Sequence, residues 1–299
     1  MTSPIPDGSY PIREFARLTG VNPATLRAWE RRYGIIHPLR TPKGHRFFSD
    51  DHIRQVKRIL YWLEQGYPVR HVGLLLNNED HSDANSSADT GGIPHGHWLE
   101  QQQAVMDTLL AITPKRLDEL WCNAFSTYPV AVYYQFCLAP VLDRQRSGSE
   151  HPMLLRMMEQ LLQRKLYSMF YQQQRMASPP TLLMATNQPE GELDILIRAC
   201  AIGAAGLRVE YLGPNLNPTD LSLAADALQA THIWVHFMPQ EKSCDLRWQR
   251  YLNQSERMHI LTGTPPDHNG GLPNMHRLQT PLSMQIQHYI LNAGRVTDE

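Results

Sequence analysis

The spacing of apolar residues changes about two thirds of the way along this chain. Through residue 176, apolar positions recur every three or four residues, which is the period of helices with one buried face. Beyond Pro180 they gather in short runs separated by helix-like segments, at 181–186, 208–213, 231–238 and 258–263. This alternation of strands and helices predicts a doubly wound parallel sheet of the α/β class.

Four helix-like segments precede the predicted sheet, at 98–112, 113–125, 128–145 and 151–176. Short turns rich in Pro, Gly and Ser join them, so we expect a small helical bundle. The second segment has Thr113 as its expected N-cap and Pro114 at its first helical position.

The N-terminal segment predicts two short helices joined by a turn. Gly20 ends the first helix, while Asn22 and Pro23 are strong start signals for the second. Two helices joined by a turn that contains Gly form a helix-turn-helix. A hairpin punctuated by Pro and Gly follows at 37–51, and an amphipathic helix comes after it. The expected fold is therefore a winged helix-turn-helix.

Residues 77–97 consist mainly of Asn, Ser, Asp, Gly and His with few apolar side chains, which is typical of a flexible linker. The expected domains are then a winged helix at 1–76, a four-helix bundle at 98–178 and a doubly wound sheet at 179–299.

Charge is unevenly distributed along the chain. The formal net charge is only −1, yet residues 12–70 carry an excess of Arg and Lys that later segments cancel. A helix fits the major groove of DNA and its N-terminal side chains reach base edges, so we expect the second helix to read DNA. Arg40, Lys43 and Arg46 of the hairpin can reach phosphates beside the groove, which gives affinity and register.

Residues 10–76 contain a helix motif and a wing motif. The first is leucine-arginine-x-aromatic-glutamate-arginine, met by Leu26, Arg27, Trp29, Glu30 and Arg31, and the second is Gly44-His45-Arg46-Phe47. Together they resemble the winged-helix domain of the MerR family of transcription regulators.

The resemblance implies a DNA-binding role for eight residues. Arg27, Trp29 and Arg31 are expected in the groove. Contacts to the DNA backbone or to groove edges are expected from Thr25, Arg40, Lys43, His45 and Arg46. Family members bind pseudo-palindromic operators as dimers, so double-stranded promoter DNA and a second copy of the chain are the expected partners. Many members have a dimerisation helix where this chain has the predicted linker, which places the expected dimer contact further along.

Residues 187–218, with the bundle before them, resemble the cobalamin-binding region of methionine synthase and of light-sensing repressors of the CarH type. Those proteins carry an acid-x-His-x-x-Gly motif whose imidazole binds cobalt. Here Glu192 matches the acid, but Asp194 stands at the histidine and Ile197 at the glycine. In those repressors a tryptophan and a Glu-His pair cover the cofactor. The corresponding positions in this chain are occupied by Ser149, Glu159 and Gln160. Cobalamin binding, and any other cofactor, is therefore not expected.

Other candidate chemistry is weaker. His232 and His236 share one face of a predicted strand, either as an alternative ligand or, as we favour, as hydrogen-bonded histidines. The four cysteines lack C-x-x-C spacing, so no metal site is expected. No catalytic motif is found in the structural context that its chemistry needs, so we do not expect an enzyme. Neither a membrane span nor a signal peptide is evident, so we expect a cytoplasmic protein.

With these changes the chain resembles degenerate relatives of the MlrA and BluR type. We therefore expect a sequence-specific regulator whose C-terminal region serves dimerisation and senses an unknown small ligand or a regulatory protein partner. The alternative is a cobalamin-dependent light- or vitamin-sensing regulator, which the missing imidazole opposes. A cobalamin-dependent enzyme would need the intact motif and a substrate barrel, for which no length is left. An adaptor with a vestigial winged helix is opposed by the intact recognition helix.

Overall fold

A computed structural model describes residues 8–41, 43–81, 95–148, 151–239, 242–266 and 274–293. The chain divides into two compact units, 1–161 and 162–299. The first unit holds the helix-turn-helix and most of the helical bundle, and the second holds the sheet.

The first unit begins with four helices and a small antiparallel sheet. Its elements are β1 (Ser9–Pro11), α1 (Ile12–Thr19), α2 (Pro23–Ala28), β2 (Leu39–Arg40), β3 (Arg46–Ser49), α3 (Asp50–Glu64) and α4 (Val69–His81). Helix α2 continues into a π-helical turn, Trp29–Tyr33, and we call α2 and this turn together the recognition helix. The strands lie in the order β1-β3-β2, which makes β2 and β3 the wing.

Local capping explains where these helices begin. The Asn22 side chain accepts a hydrogen bond from the Ala24 N–H at 2.8 Å, as its predicted N-cap role requires. Ser49 and His52 form a reciprocal capping box at the start of α3. The wing is held to the core by Phe48, whose ring stacks on Phe15 at 4.1 Å.

The bundle helices are α5 (His95–Leu110), α6 (Pro114–Thr127), α7 (Val130–Tyr133), α8 (Ala139–Gly148) and α9 (Pro152–Gln174). A π-helical turn, Tyr134–Leu138, joins α7 to α8, so these two form one continuous helix. The described residues of the bundle therefore form four helices, as predicted. Thr113 does precede α6, but its hydroxyl donates to the Thr108 carbonyl at 3.2 Å and makes no capping bond.

The second unit contains a parallel sheet with helices on both faces. Its strands, among the described residues, are β4 (Ser178–Thr186), β5 (Leu207–Pro214), β6 (His232–Phe237), β7 (Met258–Gly263) and β8 (Met275–Arg277), in the order β5-β4-β6-β7-β8. Its helices are α10 (Glu192–Gly203), α11 (Pro218–Ala227), α12 (Lys242–Gln254) and α13 (Leu282–Ala293). Helix α10 contacts α13 while α11 contacts α12, which is the doubly wound arrangement predicted.

The division of the chain differs from the predicted domain limits. It falls between Leu161 and Leu162, inside α9, because the end of that helix packs in the sheet unit. There the Cys200 thiol donates to the Leu166 carbonyl at 3.3 Å, and the Val209 N–H donates to Gln174 at 2.9 Å. The domain limits at 1–76, 98–178 and 179–299 stay a prediction.

Helices extend into both ends of the predicted linker. Residues 77–81 complete α4 and residues 95–97 begin α5, while 82–94 lie outside the described residues. None of the helices in the described part of the chain has the length and apolar character needed to cross a membrane.

Candidate nucleic-acid interface and the edge of the parallel sheet

The recognition helix presents one open face. Ala24, Arg27 and Arg31 recur at three- and four-residue spacing, which places them on one side of the helix. Ala24 and Arg31 are exposed, and Arg27 is half-buried. Two of the three predicted groove residues therefore lie on the solvent-facing side.

Two predicted DNA contacts are buried. Trp29 is 0% exposed and Thr25 is 1% exposed, so neither side chain faces solvent in this structure. The Trp29 indole N–H donates to the Thr127 carbonyl at the end of α6, at 2.9 Å. The groove-facing role expected of Trp29 is wrong for this conformation, because the aromatic side chain and its only donor are both engaged inside the first unit.

Glu30 connects the recognition helix to the wing. Its carboxylate pairs with Arg40 and accepts a hydrogen bond from Arg46 Nε at 2.5 Å. Burial raises the pKa of Glu30, but the hydrogen bonds and charges of Arg46 and Arg40 outweigh burial and lower it overall. These two arginines thus fix the wing as well as adding positive charge beside the open face.

The tip of the wing is open to solvent. Lys43 and His45 are exposed, and the His45 N–H donates to the Thr41 hydroxyl at 3.1 Å, which shapes the turn. Gly44 has a φ of +81° and provides the left-handed conformation that the turn needs. Phosphate contacts by Arg40, Lys43, His45 and Arg46 stay a prediction.

Hydrogen bonds link the ends of two neighbouring strands at one edge of the sheet. Strand order reverses between β4 and β6, which is where doubly wound folds bind ligands. Here the Asn187 side chain donates to the Met238 carbonyl at 3.0 Å and accepts from the Met238 N–H at 2.8 Å. Gln188 donates to the Pro239 carbonyl at 2.9 Å. We call these three bonds the edge bridge.

Asp194, which stands at the position of the cobalt-binding histidine, is paired with an arginine. The Arg198 guanidinium lies 3.7 Å from the Asp194 carboxylate and donates to the Asp194 carbonyl at 2.9 Å. Arg198 also donates to Gln285 of α13 at 3.3 Å and is itself only 6% exposed. Ile197 is buried without exposed surface, as a core side chain of α10. A carboxylate held this way is a poor donor for cobalt.

The other replaced positions are engaged locally or fall outside the description. Glu192 accepts a hydrogen bond from the Tyr167 hydroxyl at 2.6 Å. Glu159 pairs with Arg146 at 2.9 Å, and Gln160 is exposed. Ser149 lies outside the described residues.

The two strand histidines are hydrogen-bonded, as we favoured. His236 Nδ1 lies 3.0 Å from the Thr262 hydroxyl, and His232 Nδ1 lies 3.3 Å from the Tyr289 hydroxyl. The pKa of His236 is lowered to about 4, chiefly by burial and also by nearby Arg198, while Asp194 acts in the opposite direction. No group of three or more His, Cys, Asp or Glu side chains in the described ranges could hold a metal ion.

The first unit therefore carries a winged helix-turn-helix of the class that binds DNA. Residues 10–79 match the family model described as "MerR HTH family regulatory protein". That segment is a MerR-type helix-turn-helix domain, as the sequence predicted.

Known transcriptional regulators are similar to different shares of this chain. The chain is 41% identical over 100 residues to the HTH-type transcriptional regulator MlrA of Salmonella typhimurium, which is 33% of this chain and 37% of that protein. It is 26% identical over 230 residues to the HTH-type transcriptional repressor CarH of Myxococcus xanthus, 74% of this chain and 76% of that protein. The monomethylamine corrinoid protein of Methanosarcina barkeri aligns with a TM-score of 0.46 and 9% identity, over 65% of this chain and 98% of that chain.

Proposed function

We propose that this protein is a sequence-specific transcriptional regulator that binds promoter DNA as a homodimer. The observation that carries the proposal is the open face of a capped recognition helix, with Arg27 and Arg31 on it, beside a wing fixed by Glu30. Because promoter DNA is its target, we propose a cytoplasmic location and no catalytic role.

The second unit, in this proposal, serves dimerisation and the sensing of a small ligand or a protein partner, without cobalamin. The residues present do not fit that cofactor. Asp194 offers a carboxylate already paired with Arg198, and the edge bridge joins the two strand ends between which a ligand would enter.

A second candidate is a cobalamin-dependent light- or vitamin-sensing regulator. The doubly wound sheet and the acid at Glu192 favour it. Because the cobalt-binding imidazole is missing, it requires another cobalt ligand, and His236, one of the two strand histidines, is engaged with Thr262.

The test is selection of DNA by the full-length protein from a pool of randomised duplexes. We expect enrichment of a pseudo-palindrome whose half-sites are spaced by about one helical turn or a multiple of it, as a two-fold symmetric dimer requires. Affinity for the selected duplex should fall steeply with salt concentration and exceed affinity for random duplex by at least about a thousandfold. Failure to enrich any sequence, with binding equal on all duplexes, would falsify the proposal.

A further inference from the structure

The recognition helix has a second, covered face. Thr25, Ala28 and Trp29 share a side of the helix at three- and four-residue spacing, and all three are buried. Helix α2 packs against α6 of the bundle. At the edge of this contact the Trp29 indole N–H donates to the Thr127 carbonyl, 98 residues along the chain. The covered face leaves the open face of Ala24, Arg27 and Arg31 accessible.

A second set of contacts joins the same two parts of the first unit. The Trp98 indole N–H of α5 donates to the Gly66 carbonyl, between α3 and α4, at 2.7 Å. The Tyr128 ring, directly after α6, contacts the Trp98 ring at 5.0 Å. We call the Trp29–Thr127 and Trp98–Gly66 bonds together the joint. Two directed bonds, each made by a large buried aromatic side chain, fix an angle better than one contact does.

We propose that Trp29 is a positioning residue for DNA recognition, which sets the angle of the recognition helix by its bond to α6. The inference rests on the proposed function and deepens it. Arg27 and Arg31 read DNA, while Trp29 touches no base and holds their helix against the bundle. The bundle thereby becomes part of the DNA-reading unit, since any shift of the end of α6 moves the open face.

The geometry separates this role from direct reading. A side chain that reads a base edge must offer a free donor or acceptor to the groove. The single N–H of Trp29 is already bonded, and no part of the side chain reaches the surface. The acceptor of the Trp29 bond is the Thr127 backbone carbonyl. The bond can therefore be disturbed either at Trp29 or by loosening the end of α6.

The experiment compares four full-length proteins on the duplex selected by the wild type. Trp29→Phe keeps an aromatic ring but deletes the N–H. Thr127→Gly keeps the acceptor carbonyl but loosens the last turn of α6, because it removes the Thr127 hydroxyl bond to the Asn123 carbonyl. Ser126→Gly is the matched control. It also introduces Gly and removes a hydroxyl bond to the Asn123 carbonyl, at 2.8 Å, but at a residue whose own carbonyl does not accept the Trp29 bond.

We expect Trp29→Phe and Thr127→Gly to weaken binding to the selected duplex about tenfold, because a smaller fraction of each protein holds the binding-competent angle. Affinity for random duplex and its salt dependence should match the wild type, since the arginines and lysine remain. Ser126→Gly should bind like the wild type. A loss of thermal stability alone would not produce this split between specific and non-specific affinity.

Several outcomes would overturn the inference. A changed preference at one base pair in Trp29→Phe alone would make Trp29 a reader. Lower thermal stability with unchanged specific affinity in both variants would make it an ordinary core residue. Tighter binding in either variant would mean that α6 obstructs the helix. If the wild type enriches no sequence, the proposed function fails first, and that result is visible before any variant is made.

Discussion

Arg27 occupies the middle of the open face, between Ala24 and Arg31 along the recognition helix. We predict that Arg27→Ala weakens binding to the selected duplex by about 1–3 kcal/mol and relaxes preference at one position of each half-site. The fold should be spared, because the side chain is only half-buried. A fluorescence titration with labelled duplex measures both effects.

Arg208→Ala provides the control for this variant. Arg208 is exposed in the second unit, where it pairs with Glu210 at 3.0 Å. Its substitution by Ala removes the same charge from the chain as Arg27→Ala does. It should bind the selected duplex as the wild type does. Equal affinities of the Arg27 and Arg208 variants would remove Arg27 from the interface.

Glu30 contributes stability that depends on pH. Because its folded-state pKa is lowered, this contribution is present above the unfolded-state pKa and is lost as pH falls through the folded-state pKa. We predict that Glu30→Gln lowers the free energy of unfolding by about 1 kcal/mol at neutral pH. The difference from the wild type should shrink as acid is added, which denaturant titrations across acidic pH would measure.

Glu14→Gln is the matched variant for Glu30→Gln. Glu14 pairs with Arg17 on α1, but both side chains are 38% exposed, so solvent screens the pair. Its loss should cost at most about 0.5 kcal/mol. A Glu30 variant no less stable than the Glu14 variant would mean that the wing does not depend on Glu30.

Single side chains also mark the limit of what the sequence could predict. The Leu26, Arg27 and Glu30 pattern located the recognition helix, and local spacing alone places Arg27 and Arg31 on one face. The position of Trp29 could not be derived that way, because its partner is the Thr127 carbonyl 98 residues away. Nothing in a local pattern identifies a backbone acceptor in another element.

At the scale of elements, the predicted N-cap at Asn22 is made and can be tested by mutation. We predict that Asn22→Ala lowers the free energy of unfolding by about 1 kcal/mol, because the Ala24 N–H loses its acceptor. Specific DNA affinity should also fall, since the cap begins the recognition helix. Thermal denaturation and duplex titration on one preparation measure the two quantities.

Asn217→Ala separates the two effects. Asn217 caps α11 of the second unit in the same Asn-Pro context, accepting from the Thr219 N–H at 2.9 Å. Its loss should cost similar stability but leave DNA affinity unchanged. Should both variants weaken DNA binding equally, the cap of the recognition helix would have no special part in it.

Element types were predictable because their signals are local, while two features depended on tertiary context. Strand β8 has three residues without an apolar run, and it exists because it pairs with β7 at the edge of the sheet. The division between the two units lies inside α9, where helical periodicity gives no sign of it because it continues unbroken through Leu161 and Leu162.

For the whole molecule, the proposal that cobalamin does not bind has a direct readout. We predict that the full-length protein, mixed with adenosylcobalamin in the dark, elutes from gel filtration without the visible absorbance of the cofactor. The reason is that Asp194 is paired with Arg198 and the edge bridge links the strand ends. A protein with an intact acid-x-His-x-x-Gly motif is the positive control, and a red co-eluting species would refute the prediction.

Two of the six tryptophans form the directed bonds of the joint, and both are buried. The protein therefore carries its own optical reporter. Indole emission shifts to longer wavelength when water reaches the ring, so opening of the joint would redden the intrinsic fluorescence. The tryptophan emission, followed after rapid mixing with duplex, would reveal whether the protein binds DNA with the joint closed or opened. No label is needed.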